Sequence, residues 1–189
     1  MLQIRTYNSR ELVAAHLDDQ IIEFDKENMA PILAEKSIPF PEEKRRKWLE
    51  NDATFHVAFN EKGSVVGYLQ YGPDWNDTDA IYILSVQIAP SVRGTSLFTR
   101  LVLTACEDLA SRAFNRLVTN VQKHNKTAIE LYRKLEFTID EANASETSFS
   151  VYADRSVLES ERIGKLKRRT ERIKLRGTSN CWRNFRPLT

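Results

Sequence analysis

The sequence predicts one α/β (α+β) domain, a mixed sheet flanked by helices, followed by a basic C-terminal extension. Strand-like and helix-like periodicities interleave along the chain. The order is strand, two helices, three strands, helix, strand, helix, two strands. At 189 residues, 41% hydrophobic and 29% charged, the chain suffices for one domain with a substantial core and is short for two. The charge is divided. From Asp154 onward there are eleven Lys or Arg against four Asp or Glu, a balance of +7 within a total of +2, so the preceding residues carry −5. That step sets the expected division into a domain over residues 1–153 and an extension over 154–189.

Leu2 to Tyr7 reads as a strand. Asn8 followed by Glu11 is a capping-box pattern, and Val13, Leu17, Ile21 and Phe24 then recur at helical spacing. A second helix is expected from Pro41, with Glu42 and Glu43 at its positive end. The run Lys44, Arg45, Arg46 and Lys47 reads first as a solvated, dipole-matched face. Phe55, Val57 and Phe59 alternate as in a half-buried strand. Asn60 to Ser64 reads as a hairpin turn and Val65 to Tyr71 as the returning strand. After the loop Gly72 to Asp79, Ile81 to Ile88 is apolar on both faces and is expected to be central. Phe98, Val102, Ala105 and Leu109 form a helical stripe, Arg116 to Val121 a strand, and Asn125 opens a helix seated by Ala128, Leu131 and Leu135. Phe137 to Ile139 and Ser148 to Tyr152 close the pattern as strands.

No apolar run has the length of a membrane-spanning helix, and the opening MLQIRTYNSRELV lacks a signal-type apolar segment. Cytoplasmic residence and no membrane partner are the expectations. Cys106 and Cys181, with His16, His56 and His124, match no zinc or redox spacing, so no metal is expected.

The most informative stretch is ILSVQIAP-SVRGTS-LFTRLVLTACEDLA. A strand that stops at a proline and feeds a glycine turn into a helix leaves backbone N–H groups pointing outward at the positive helix end. That is an anion site suited to phosphate. Gly94 permits close backbone approach, and Arg93 adds a fork of donors. On its own the segment is equally an ordinary turn with an exposed arginine. Some thirty residues later the chain reads NVQKHNKTAIELYRKLEF.

Together these segments resemble the GCN5-related N-acetyltransferase (GNAT) family. The first is similar to that family's acetyl-CoA motif, a V-x-P strand end followed by [RQ]-x-x-G-x-[GA], here Ile88-Ala89-Pro90 and then Arg93-Gly94-Thr95-Ser96-Leu97-Phe98. The second resembles N-x-x-A-x-x-L-Y-x-K-x-G-F and matches at Asn125, Ala128, Leu131, Tyr132, Lys134 and Phe137. Gly67 stands where the family carries a glycine after the hairpin. The resemblance runs from Leu2 to Tyr152. It implies a mixed, mostly antiparallel central sheet with acetyl-CoA as co-substrate. It implies cofactor contacts at Gln87, Ile88, Arg93, Gly94, Thr95, Ser96, Leu97, Phe98 and Asn125. Ser96, Phe98 and Glu136 depart from the pattern, each standing where the family favours a small residue or glycine.

The resemblance also implies direct attack of an amine on the thioester, with Tyr132 as general acid for the leaving thiolate. A packed core tyrosine is the other reading of that residue. The family's strand glutamate, counted six residues back from Ile88, is replaced by Tyr82, a poor base near neutral pH. Tyr82 can instead shape the acceptor pocket or hold a water. Asp77 and Asp79 can attract a cationic amine, and Glu23, Asp25 and Glu27 border the acceptor region, but all five also read as plain surface charge.

Ser156 to Glu159 is a capping-box pattern, and KLKRRTERIKLR then fits helix or strand equally badly. Three readings of the extension stand. It is a solvated or dimer-packing appendage, a basic contact for an acidic protein or nucleic acid, or a cover over the acceptor site that uses Trp182 and Phe185. Two functions follow: an N-acetyltransferase acting on a small-molecule or peptide amine, or a degenerate CoA-binding interaction module working through its basic tail. A homodimer is compatible with either.

Overall fold

The computed structural model describes residues 2–35 and 37–168. In chain order it contains β1 (Gln3–Asn8), α1 (Ser9–Ala14), α2 (Asp18–Glu35), α3 (Glu42–Glu50), β2 (Thr54–Phe59), β3 (Val65–Pro73), β4 (Ala80–Ile88), α4 (Leu97–Ala110), β5 (Arg116–Gln122), α5 (Lys126–Lys134), β6 (Thr138–Asp140) and β7 (Ser148–Asp154). Short 3₁₀ turns occupy Pro90–Val92 and Arg155–Glu159. Residues 161–168 are helical.

The capping box forms as the sequence predicts. Asn8 accepts from the Glu11 N–H at 2.9 Å, and Glu11 accepts from the Asn8 N–H at 2.9 Å. The helix it starts is short, which corrects the expectation of one continuous helix through Phe24. His16 adopts φ 54°, its N–H bonds Val13 O at 2.9 Å, and the Leu17 N–H bonds Leu12 O at 3.1 Å. This pair of bonds is a Schellman motif, which stops α1 and lets α2 start in a new direction. Val13 is consequently 44% exposed, and Leu12 takes the buried place.

The seven strands form one sheet in the order β1-β2-β3-β4-β5-β7-β6. Neighbours are antiparallel except for β4 and β5, which run parallel. β4 is the middle strand, as its two-sided apolar content predicts. β2 was expected to be half-buried, but all six of its residues are buried. The sheet is covered on both faces there. Leu12, Ile21, Ile22, Phe55, Val57 and Tyr68 pack on the side of α1–α3. Leu69, Tyr71, Leu101, Leu109 and Leu117 pack on the side of α4.

The segment after β7 joins this second core. Val157, Leu158 and Ile163 are buried in it, and Leu166 packs against it. Trp182 and Phe185, singled out in the sequence, lie outside the described residues, as does most of the basic run. Among the described residues no helix is long and apolar enough to cross a membrane. None of their His, Cys, Asp and Glu residues form a group that could hold a metal ion.

Candidate active site

The sheet opens at its centre. β4 and β5 pair only over Ala80–Tyr82 with Arg116–Val118. Beyond Tyr82, β4 stays with β3 and β5 stays with β7. Side-chain bonds cross at the split, among them Thr119 Oγ1 to Ile83 O at 2.8 Å. Next to the split β4 carries a bulge, where the register passes from Gln70↔Ser85 to Tyr71↔Ile83 and leaves Leu84 unopposed. Ile83 and Val86 therefore line an apolar cavity on the α4 side, while Leu84 packs toward α1–α3.

Tyr82 and Tyr132, far apart in sequence, flank the fork from the two faces of the sheet. Tyr82 is the last β4 residue paired to β5, and its hydroxyl accepts from Asn120 Nδ2 at 2.8 Å. Tyr132 comes from α5. Asn125 caps that helix by accepting from the Ala128 N–H at 3.1 Å, as the sequence predicts. The Tyr132 side chain lines the cavity on the α4 side, within electrostatic reach of Tyr82. Burial pushes the Tyr132 pKa up, with Thr119 opposing the rise. Burial also raises Tyr82, with Asn120 opposing and Asp74 adding to the rise. Both phenols stay protonated at neutral pH. They can donate protons but cannot serve as bases.

The end of α5 explains why Tyr132 is held so firmly. Glu136 adopts φ 67°, its N–H bonds Arg133 O at 3.1 Å, and the Phe137 N–H bonds Tyr132 O at 3.0 Å. This second Schellman motif sets the Phe137 ring 5.4 Å from the Tyr132 ring. Glycine suits the left-handed position best, and this chain fills it with glutamate.

At the other end of β4 lies the predicted anion site. Pro90 ends the strand, Gly94 turns the chain with φ 77°, and α4 begins at Leu97. Gly67 lets the start of α4 approach the sheet. A Cβ at Gly67 would sit 3.0 Å from Gln87 O and 3.2 Å from a Leu97 methyl. Thr95 Oγ1 accepts from the Leu97 N–H at 3.2 Å. The Phe98 and Thr99 N–H groups precede the first backbone bond of the helix, from Arg100 to Ser96. Ser96 has φ −75°, so its place in the turn needs no glycine. A Cβ on Gly94 would meet nothing within 4 Å, so the turn faces open space. Arg93 is exposed and spends only Nε, on Ile88 O at 3.3 Å. Phe98 lines the cavity together with Val102, Tyr132 and Ile163.

The structure also holds a cluster that corrects two readings of the sequence. Arg45 and Asp25, read as surface charges, are 6% and 1% exposed. Arg45 Nε donates to Asp25 Oδ2, and Arg45 Nη2 bonds the Tyr68 hydroxyl. That hydroxyl donates to Asp25 Oδ1 at 2.6 Å and lies 3.2 Å from Ser85 Oγ on β4. Burial opposes the Arg45 charge, but Tyr68 and Asp25 outweigh it and hold the pKa above its usual range. A signal for this was present. Each charge sits four residues from a fully buried Ile21 or Leu49, hence on the inward face of its helix. Glu23, by contrast, is exposed and pairs with Lys26 at 3.6 Å.

Proteins of this shape are known. The N-acetyltransferase PaiA of Thermoplasma acidophilum, solved in complex with coenzyme A, is 16% identical with a TM-score of 0.59, covering 82% of this chain and 99% of its own. A GNAT-family acetyltransferase of Staphylococcus aureus Mu50 is 15% identical with a TM-score of 0.60 over the same shares. NAA60 of Arabidopsis thaliana, in complex with a bisubstrate analogue, is 13% identical with a TM-score of 0.58, covering 82% of this chain and 98% of its own. At these identities the likeness is one of fold. A search among curated proteins finds no match to the sequence. The model of the acetyltransferase (GNAT) family matches residues 19–137, and the chain belongs to that family.

Proposed function

We propose that this protein transfers the acetyl group of acetyl-CoA to a primary amine of a small molecule or peptide, at the fork between β4 and β5. The observation that carries this reading is the placing of Tyr132 and Tyr82 on the two flanks of the fork, with a phosphate-suited helix start at the far end of the same strand. The residues fit the co-substrate. Free N–H groups at Phe98 and Thr99, the open space at Gly94 and the Arg93 guanidinium suit a pyrophosphate. Gln87, Ile88, Thr95, Ser96 and Leu97 line the approach to it along β4 and the turn.

When bound, acetyl-CoA supplies the acetyl thioester. The chain's residues orient and protonate. Holding two reactants in line is worth roughly 7–11 kcal/mol in well-aligned systems. Tyr132, protonated and fixed by its helix cap, donates the proton that the leaving sulfur needs. Tyr82, held by Asn120, donates a hydrogen bond at the fork and takes no proton itself. No carboxylate replaces the family's strand glutamate on β4 between Ala80 and Ile88. The amine therefore arrives neutral or loses its proton to water.

The test combines a thermal shift with thiol release. Acetyl-CoA at about a hundred times its Kd is expected to stabilise the chain by roughly 2.7 kcal/mol, some 5–10 °C in Tm. Arg93→Ala is expected to shrink the shift. Tyr132→Phe is expected to keep the shift and lower kcat about 100-fold. No shift at saturating co-substrate would sink the enzyme reading and leave an interaction module.

A further inference from the structure

The loop joining β3 to β4, Asp74 to Asp79, leads into the closed end of the fork and has an unusual make-up. Between Gly63 and Val92 the chain has no Lys, Arg or His, and it carries Asp74, Asp77 and Asp79. Trp75 is 61% exposed, more than the other exposed large hydrophobic residues among those described, Val13 and Ile38. Burial would have been the favourable fate for an indole, and Trp75 is instead held in the open. Its ring lies 5.6 Å from that of Tyr82, the residue that ends the β4–β5 pairing. Asp74 acts electrostatically on the same Tyr82 hydroxyl.

The loop is ordered by its own bonds. Asp74 Oδ1 accepts from the Asn76 N–H at 2.7 Å, Asp77 Oδ1 accepts from the Asp79 N–H at 3.0 Å, and the Asp74 N–H bonds Ala80 O at 3.0 Å. Two tilted aromatic faces with a carboxylate beside them, free of any competing cation in the hairpin, form an arrangement that attracts an ammonium group. The residues before Asp154 carry −5 overall, which favours the approach of a cation.

We propose that the acceptor carries a second cationic group besides the reacting amine, and that Trp75, Tyr82 and Asp74 bind this second charge at the closed end of the fork. The inference rests on the acetyltransferase reading for the position of the reacting amine. The binding of the second charge can be measured without turnover.

The experiment is a tryptophan-fluorescence titration of the full chain in the presence of coenzyme A. The probes are 1,5-diaminopentane, n-pentylamine and 5-aminopentanoate, matched in length and differing in the charge of the tail. The diamine is expected to bind about tenfold more tightly than the monoamine, with the amino acid weakest. Trp75→Phe is expected to abolish the fluorescence response, leaving Trp48 and Trp182 silent. Asp74→Asn is expected to narrow the gap between diamine and monoamine. In thiol release, Trp75→Ala is expected to raise KM for the diamine about tenfold with kcat little changed.

Equal affinity for diamine and monoamine, a response that survives Trp75→Phe, or an unchanged KM in Trp75→Ala would overturn the proposal. Selective diamine binding without thiol release would support this inference and sink the enzyme reading. Turnover indifferent to tail charge would do the reverse.

Discussion

On the face that carries α1–α3, the packing centres on charge, with Asp25, Arg45 and the Tyr68 hydroxyl locked together beneath helices α2 and α3. On the face that carries α4, the middle is apolar and incompletely filled, with a cavity between β4, α4 and the segment after β7. One face is anchored by a polar knot that ties both helices to the sheet. The other leaves space beside Tyr132. A buried ion pair contributes little net stability but specifies geometry, because breaking it strands a charge. The rigid face thus supports β4, and the looser one borders the fork.

Arg45→Ala should have the largest effect. It leaves Asp25 buried and unpaired, and a loss of about 3–5 kcal/mol in urea unfolding is expected. The double change Asp25→Leu with Arg45→Met should recover much of that, and a silent single variant would remove the contrast between the faces.

Acid should attack the α4 face next. His56 is buried there, 5.5 Å from the Tyr71 ring, with Thr6 Oγ1 2.9 Å from its Nδ1. Burial lowers its pKa to about 4. The unfolded chain takes up the proton first, so this contribution is fully present above about pH 6.5 and is lost as the pH falls toward 4. The total is about 3 kcal/mol. A pH series of unfolding midpoints should show that limb, and His56→Gln should flatten it.

Val157→Ala removes two methyl groups from the α4-side core and should cost about 2 kcal/mol by the same unfolding measurement. A negligible change would mean that the segment after β7 rests on the core without holding it together.

The smallest effect carries the opposite sign. Glu136→Gly relieves a left-handed residue and should gain about 0.5–1 kcal/mol, seen as a Tm rise of a few degrees. The loss of the 3.5 Å Arg162–Glu136 contact, between exposed side chains, subtracts little.

Much of this was legible in the sequence because it is local. The capping box at Asn8, the α5 cap at Asn125 and the glycine turn at Gly94 are written in adjacent residues. The order of the strands follows from their alternation, and the family motif brings Tyr132 forward. The α1–α2 break was hidden because Val13, Leu17, Ile21 and Phe24 keep helical spacing across His16, whose left-handed backbone no periodicity records. Asp25 and Arg45 read as surface because charge is normally exposed, and only their spacing from Ile21 and Leu49 pointed inward. The fork was invisible for a different reason. How far β4 and β5 stay paired depends on what packs between them, not on either strand alone. The Trp75–Tyr82 contact likewise joins a loop to a strand across a hairpin.

The fork has a mechanical consequence. Three residue pairs, Ala80–Arg116 to Tyr82–Val118, are the whole backbone seam between a four-stranded half and a three-stranded half of the sheet. Any twist of one half against the other concentrates at that seam, and Tyr82 is its last stitch. Trp75 rides on one half and Tyr132 on the other. A small rotation about the seam would change the separation of the two, so an occupant gripped by both would splint the molecule across its narrowest join.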